Sequence, residues 1–159
     1  MSLPTMHFSK LFSVLFALSA LCLSQAVFAG KPEIYTHKRK GAVKGADVVA
    51  YFDLKPGDKA VMGDDAYTHE YKGSTFKFAN KVNLERFKAN PERYVPQYGG
   101  YCSFAVSKGF TTSVRPDNWR IVDDKLYLNY NAASYKNWEK NLKANIVKGD
   151  NNWPKVLNK

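Results

Sequence analysis

Two aromatic-rich segments on either side of a two-residue turn constrain the fold most. Residues 66–71 and 74–79 flank Lys72-Gly73, and in both segments large side chains alternate with polar ones. The alternating side chains are Tyr67, His69 and Tyr71 before the turn, and Phe76 and Phe78 after it. Alternation with a period of two around such a turn is typical of a β-hairpin, so we expect two antiparallel strands here.

A second strand–turn–strand pattern covers residues 120–129, and each hairpin pattern is followed by an asparagine, Asn80 or Asn131. An asparagine side chain accepts a hydrogen bond from the first turn of a helix. Apolar residues then recur at helical spacing: Leu84 and Phe87 after the first hairpin, and Tyr135, Trp138, Leu142 and Ile146 after the second. We expect a helix over residues 81–89, and a longer one that stops at Gly149.

The remaining segments predict a first strand and a third helix. The sequence DVVAYF at 47–52 is short, apolar and β-prone. Residues 98–109 (YGGYCSFAVSKG) fit both helical and strand spacing, and Gly109 favours a helix that begins near Tyr101. Because hairpins alternate with helices, we predict a single-domain α+β fold in which a small antiparallel sheet of two hairpins packs against three helices. The sequence shows no internal repeat.

The N-terminus carries the three parts of a secretory signal peptide. Lys10 precedes an apolar run at 11–23, and Val27 and Ala29 stand at positions −3 and −1 of a cut before Gly30. The run is shorter than the roughly 20 residues that a membrane-spanning helix needs. We expect residues 1–29 to be removed, leaving a periplasmic mature chain without a transmembrane segment.

The mature chain is strongly basic. The full sequence has a net charge of +10, and Lys10 is the one basic residue in the expected signal peptide. A polar basic leader is expected over 30–45, and the domain over 46–159. A basic surface attracts anionic partners, which in this compartment are an anionic envelope component or an acidic protein, and not nucleic acid. Solubility is the alternative use of the charge.

One cysteine, Cys102, remains after removal of the signal peptide, because Cys22 leaves with it. An intramolecular disulfide is therefore excluded. A lone thiol in an oxidising compartment is buried, bound to a metal, or available for intermolecular chemistry. The ordinary role of a free cysteine is that of a small buried residue.

A metal site would combine Cys102 with few other donors. His37, His69 and Met62 are the remaining nitrogen and sulfur ligands of the mature chain, too few for a closed zinc site. Three ligands such as Cys102, His69 and a third donor suit copper or iron. Asp47 is a candidate oxygen ligand, or else it caps a turn. His69 is alternatively an ordinary strand residue at the sheet edge.

The sequence contains no recognised catalytic motif. The pair His69-Glu70 lacks the second histidine of a zinc-protease helix, and neither a Gly-x-Ser-x-Gly elbow nor a phosphate-binding loop occurs. We therefore expect a non-catalytic protein. The residues expected to line a pocket beside Cys102, or else to pack in the core and form a tight turn, are Tyr98, Gly99, Gly100 and Tyr101.

Several segments, taken in order, resemble the exported YHS-domain proteins of bacteria. They are GADVVAYF (45–52), HEYKGSTFKFAN (69–80), ERFKANPERYVPQYGGYCSFAVSKG (85–109), WRIVDDKLYLNYN (119–131) and DNNWPKV (150–156). The resemblance implies a small α+β module in which a hairpin packs against helices. It also implies metal binding, the activity usually proposed for the wider YHS group, which is similar to the TRASH domains.

In that wider group the proposed ligands are cysteines in the first strand segment and just after the hairpin. Here residues 47–52 and 78–84 contain no cysteine, and Cys102 is carried over from the YGGYC motif of the exported branch. Three hypotheses follow. The protein binds copper or iron through Cys102, or it is a metal-free module for an acidic partner or an anionic envelope component. The third is thiol chemistry at Cys102, with His69 as base or through an intermolecular disulfide.

Overall fold

Residues 30–159 are described by a computed structural model, and the predicted signal peptide lies outside them. The strands are β1 (Thr36–His37), β2 (Gly41–Ala42), β3 (Asp64–Tyr71), β4 (Ser74–Phe78), β5 (Arg115–Val122) and β6 (Lys125–Asn129). The α-helices are α1 (Lys81–Ala89), α2 (Pro91–Tyr94), α3 (Ser103–Ser107), α4 (Ala132–Lys140) and α5 (Leu142–Asn152). Short 3-10 turns join several of them.

Both predicted hairpins are present, which confirms the α+β class. Strand β3 pairs with β4, and β5 with β6. The four turn residues, Lys72-Gly73 and Asp123-Asp124, have φ values of 48° to 72°, the left-handed backbone of a tight two-residue hairpin turn. The small pair β1–β2 adds a third two-stranded sheet, and in the described part of the chain no strand of one sheet pairs with a strand of another.

Helices α1 and α4 begin where the asparagine caps predict. The Asn80 side chain accepts a hydrogen bond from the backbone N–H of Asn83 at 2.9 Å, and Asn131 accepts one from Ser134 at 2.8 Å. These bonds satisfy donors that the first turn of a helix otherwise leaves unpaired. The third predicted helix is also present, as α3, although it begins at Ser103 rather than near residue 101.

The prediction of one long C-terminal helix is wrong. The chain leaves helical geometry at Asn141, whose φ and ψ are −130° and 51°, so two helices, α4 and α5, follow each other. Gly149 lies inside α5, where a Cβ would stand 2.4 Å from the Tyr98 hydroxyl oxygen. Close packing against the Tyr98 ring, rather than a helix end, therefore requires glycine at position 149.

The prediction of a strand over residues 47–52 is also wrong. The Asp47 carboxylate accepts hydrogen bonds from the backbone N–H groups of Val49 and Ala50, and a 3-10 turn follows at Ala50–Asp53. The alternative prediction for Asp47, that it caps a turn, is confirmed. The segment is apolar because the turn is buried: Val48, Val49 and Tyr51 are at most 1% exposed.

The core holds two clusters of aromatic side chains. In the larger one, Phe76 and Phe78 pack on Phe87 with ring centroids 4.9 and 5.0 Å away. The smaller one joins Trp138, Tyr127 and Tyr98 beneath α5. The basic leader packs into this core, since its residues Ile34, Ala42 and Val43 are buried. Within residues 30–159 no helix has the length and apolar character needed to cross a membrane.

The two ends of the described chain are close together. The backbone N–H of Lys31 donates to the carbonyl of Leu157 at 2.8 Å. The Tyr101 hydroxyl donates to the Pro32 carbonyl at 2.9 Å, and Trp153 packs on the Tyr101 ring at 6.1 Å between centroids. The leader is thus held between the segment that precedes α3 and the segment that follows α5.

Candidate functional site

Asp47 is fully buried, and its carboxylate is completely hydrogen-bonded. Oδ1 accepts from the backbone N–H groups of Val49 and Ala50 at 2.9 and 3.1 Å. Oδ2 accepts from the Ala79 N–H at 2.8 Å and from Asn83 Nδ2 at 2.7 Å. A carboxylate offers about four acceptor sites, so these donors leave none for a cation. Asp47 fastens its own turn to the start of α1.

Cys102 is 1% exposed, and its sulfur is surrounded by hydrogen-bond donors. The backbone N–H groups of Ala105, Tyr130 and Phe104 face it, and the thiol donates to Asn129 Oδ1 over 3.6 Å. Burial raises the pKa of the Cys102 thiol, and the three N–H groups lower it by less, so the net shift is upward. The protonated thiol is therefore the stable form at neutral pH.

His69 lies on β3, and within residues 30–159 it belongs to no group of three His, Cys, Asp or Glu side chains that could hold a metal ion. Its ring is half-buried and packs edge-on against Phe87, with the ring centroids 6.0 Å apart. This is the ordinary strand role that the sequence also allowed. His37 lies in the leader, where its Nδ1 accepts a hydrogen bond from the Arg39 N–H at 3.3 Å.

The glycine pair before Cys102 forms a tight turn. Tyr98, Gly99 and Gly100 have φ values of 57°, 59° and 81°. A Cβ on Gly99 would stand 1.7 Å from the Glu33 carbonyl oxygen, so the backbone that approaches Gly99 is the chain's own leader. Tyr98 and Gly99 line a cavity that Cys102 does not line, whereas Gly100 and Tyr101 are buried and do not line it.

The cavity lined by Tyr98 and Gly99 has a volume of about 260 Å³. Its acidic side chains are already paired with other groups of the chain. Lys72 Nζ lies 2.7 Å from Glu33 Oε1 and 3.5 Å from Glu92 Oε1. The Tyr98 hydroxyl donates to Asp150 Oδ1 at 2.9 Å. Each acidic group therefore has a partner within the chain.

A second cavity, of about 300 Å³, combines arginines with aromatic rings, and we call it the arginine cavity. Its apolar lining is Tyr51, Phe52, Leu54, Pro56, Trp119 and Ile121, and its charged lining is Arg86, Arg93, Arg120, Asp53 and Asp124. The members come from the turn after Asp47, from α1 and α2, and from the β5–β6 hairpin. No local spacing links these segments, so the sequence did not predict this cavity.

Each arginine of the cavity pairs with a carboxylate and still presents its guanidinium to solvent. The pairs are Arg86 with Asp53, Arg93 with Asp124, and Arg120 with Glu139. The arginine side chains remain 35 to 43% exposed. Because exposed ion pairs contribute only about 0–1 kcal/mol each, an anionic group can compete for the guanidinium groups.

The aromatic wall of the arginine cavity is rigid. The indole Nε1 of Trp119 donates to the Asp58 carbonyl at 2.8 Å, and its ring meets Tyr51 edge-on at 5.2 Å. The Arg93 guanidinium lies over the Phe52 ring, 5.5 Å from the centroid. Stacking of this kind holds a guanidinium in place while its N–H edge stays available to a ligand.

Part of the chain matches the model of a known protein family. The model of the YHS domain family matches residues 56–98. The match spans β3, β4, α1 and α2, and it confirms the resemblance over that part of the chain. Neither the curated proteins nor the solved structures provide a match.

YHS domains are generally associated with metal binding. Within residues 30–159, no three His, Cys, Asp or Glu side chains form a group that could hold a metal ion. Asp47 has no acceptor site left, and the N–H groups around Cys102 direct positive charge at its sulfur. The structure therefore does not bring Asp47, His69 and Cys102 together, and these residues do not fit copper or iron.

Proposed function

We propose that this chain is an exported, non-catalytic YHS-domain protein that binds an anionic ligand in the arginine cavity. A phosphate or carboxylate group, carried by an envelope component or an acidic protein, contacts the guanidinium groups. The apolar part next to it rests on Phe52 and Trp119. The observation that supports this proposal is the convergence of three arginines and a rigid aromatic wall on one cavity of about 300 Å³.

Planar guanidinium groups suit this ligand class. An arginine offers five N–H donors in a fixed fork, which matches two oxygens of a carboxylate or phosphate. Arg86 already shows this geometry, with Nη1 2.6 Å from Asp53 Oδ2 and Nη2 3.4 Å from Asp53 Oδ1. A ligand oxygen pair would take the place of such a carboxylate without a change in donor geometry.

Substitution of the cavity arginines tests the proposal. Arg93→Met and Arg120→Met are expected to weaken binding of phosphatidylglycerol vesicles by about tenfold, the effect of one lost charge-assisted contact. Arg39→Met removes the same charge from the exposed leader and is the matched control, with little expected change. Isothermal titration against vesicles, and against inorganic phosphate alone, separates a lipid-borne group from free anion. Equal losses in all three variants would show non-specific attraction instead.

Export is tested by the N-terminus of the mature protein. We expect the protein recovered from the periplasm to begin at Gly30, because Val27 and Ala29 suit signal peptidase. N-terminal sequencing or intact mass measures this directly. A protein that keeps residues 1–29 in the cytoplasm would contradict this part of the proposal.

Binding of copper or iron through Cys102 is the second candidate, since YHS domains are generally associated with metal binding. The burial of Cys102 and the donors around it argue against this role. We expect wild type and Cys102→Ser to retain equal, substoichiometric metal after loading and desalting. Elemental analysis decides between the candidates, because one equivalent of metal that disappears in Cys102→Ser would favour the metal site.

A further inference from the structure

We propose that residues 98–141 are a second copy of the structural unit formed by residues 43–90. Cys102 occupies the position in the second unit that Asp47 occupies in the first. The YHS match over 56–98 thus covers most of one copy. Both units begin with three successive residues of positive φ. These φ values are 51°, 57° and 82° at 43–45, and 57°, 59° and 81° at 98–100.

The hairpins and helices correspond residue by residue, with a constant offset of 51. In the first hairpin Asp64 lies opposite Phe78, and after a register shift Thr68 lies opposite Lys77. The second hairpin repeats this pattern: Arg115 lies opposite Asn129, and Trp119 opposite Leu128. Helices α1 and α4 both have nine residues and an asparagine cap in the same extended conformation. Agreement in the register shift as well as in length goes beyond what two ordinary hairpins share.

Backbone contacts outside the hairpins correspond as well. The N–H of Asp47 donates to the Val61 carbonyl at 2.9 Å, and that of Cys102 donates to the Thr112 carbonyl at 3.2 Å. The preceding turns close with the same bond, from Ala46 to Val43 and from Tyr101 to Tyr98. These bonds place Asp47 and Cys102 at one and the same position of the repeated unit.

Three backbone N–H groups surround the side chain at this position in both units, and we call this arrangement the N–H cage. The groups belong to Val49, Ala50 and Ala79 around Asp47, and to Phe104, Ala105 and Tyr130 around Cys102. In the second unit Asn129 shares the acceptor role, because its Oδ1 accepts from the Phe104 N–H at 3.1 Å. Cys102 and Asn129 together therefore replace a carboxylate.

The sequence hides this duplication. Between 64–90 and 115–141, the equivalent positions with identical residues are Asn80 with Asn131, and Asn90 with Asn141. Both pairs lie at helix ends, where the backbone requires a side-chain acceptor or an irregular conformation. Both units line the arginine cavity, to which the first contributes Arg86 and the second contributes Arg120.

The inference is tested by giving the second unit the residue of the first. We expect Cys102→Asp to unfold cooperatively at pH 7 with a midpoint within about 5 °C of wild type, a shift of the size that one modest substitution causes. An aspartate introduced at a buried position without donors ordinarily disrupts folding. Ala105→Asp is the matched control, because Ala105 is also buried, at 2% exposed, and lies on α3, the short helix that begins directly after Cys102. We expect that control to lose its cooperative transition.

The pH dependence of Cys102→Asp provides the second measurement. Donors that face the charged form lower the pKa of the new carboxyl below its unfolded value, so its stabilisation is present above that value and is lost as the pH falls. Cys102→Asn has the same shape without the charge, and we expect it to be less stable than Cys102→Asp at pH 7. The duplication of the cage is refuted if Cys102→Asp unfolds at pH 7, ranks below Cys102→Asn, or gains stability on acidification.

Discussion

At the scale of single residues, two buried side chains that sequence patterns marked as metal ligands have structural roles. The Asp47 carboxylate holds a turn through four donors, and the Cys102 thiol lies in a comparable cage of N–H groups. The residue types were consistent with metal chemistry, but part of the donor set around each comes from distant parts of the chain. The sequence predicted that Asp47 caps its own turn, whereas Ala79 and Asn83 reach it only in the folded protein and could not be predicted.

Asp47→Asn is expected to lower the free energy of unfolding by about 3 kcal/mol, because its amide nitrogen would face an N–H group and one buried acceptor would be lost. Urea unfolding at pH 7 measures this. Asp58→Asn is the matched control: Asp58 is exposed and accepts one bond from the Lys55 N–H at 2.8 Å, so a loss below about 1 kcal/mol is expected. Similar losses in both variants would contradict the role assigned to Asp47.

The Cys102 thiol is expected to resist alkylation in the folded protein. Burial raises its pKa, so at pH 7–8 the thiolate that reacts with iodoacetamide is scarce as well as inaccessible. Mass spectrometry should show modification in guanidinium chloride and almost none in native buffer over the same time. Rapid, complete labelling of the native protein would restore the hypothesis of thiol chemistry at Cys102.

At the scale of elements, the sequence predicted the features that depend on neighbouring residues, namely the hairpin turns and the helix starts. The tight turns define both hairpins, and the asparagine caps define the starts of α1 and α4. The predictions failed where tertiary contacts override the local sequence pattern. Residues 47–52 have β-prone side chains because their turn is buried, and α5 continues through Gly149 because an aromatic ring packs there. The arginine cavity also escaped prediction, since it draws on segments far apart in the chain.

Gly149→Ala is expected to destabilise the protein by about 1–3 kcal/mol, although alanine favours helices by about 1 kcal/mol over glycine. The added Cβ would stand 2.4 Å from the Tyr98 hydroxyl oxygen and force this buried ring to move. Thermal unfolding measures the change. Asn151→Ala, at an exposed position of the same helix, is the control and should change stability by less than about 0.5 kcal/mol. A more stable Gly149→Ala variant would contradict the packing described here.

At the scale of the whole molecule, the net charge and the position of the arginine cavity both favour anionic partners. The chain carries a net charge of +10, so its long-range field draws anions toward a surface that also contains the arginine cavity. Under the proposed function, the field would set how fast an anionic partner arrives, and the cavity would set which partner stays. The composition alone predicted the charge, and the packing of the two hairpin–helix segments forms the cavity.

Binding of anionic vesicles is therefore expected to weaken steeply with salt. The Debye length falls from about 10 Å at 0.1 M to about 3 Å at 1 M, which screens the long-range field. Titrations at several salt concentrations should show lower affinity throughout, with a residual difference between wild type and Arg93→Met at high salt. Binding that is insensitive to salt would contradict the role assigned to charge.

The contact between Lys31 and Leu157 has a consequence for the order of assembly. The leader is held by Leu157, near the C-terminal end of the chain, and by the turn at Gly99, in its middle. A polypeptide delivered across a membrane with its N-terminus first presents the leader early, but the partner of Lys31 arrives more than a hundred residues later. If the chain is exported as proposed, the contact between Lys31 and Leu157 can form only after nearly the whole chain has crossed, and until then the leader side chains would be available to chaperones.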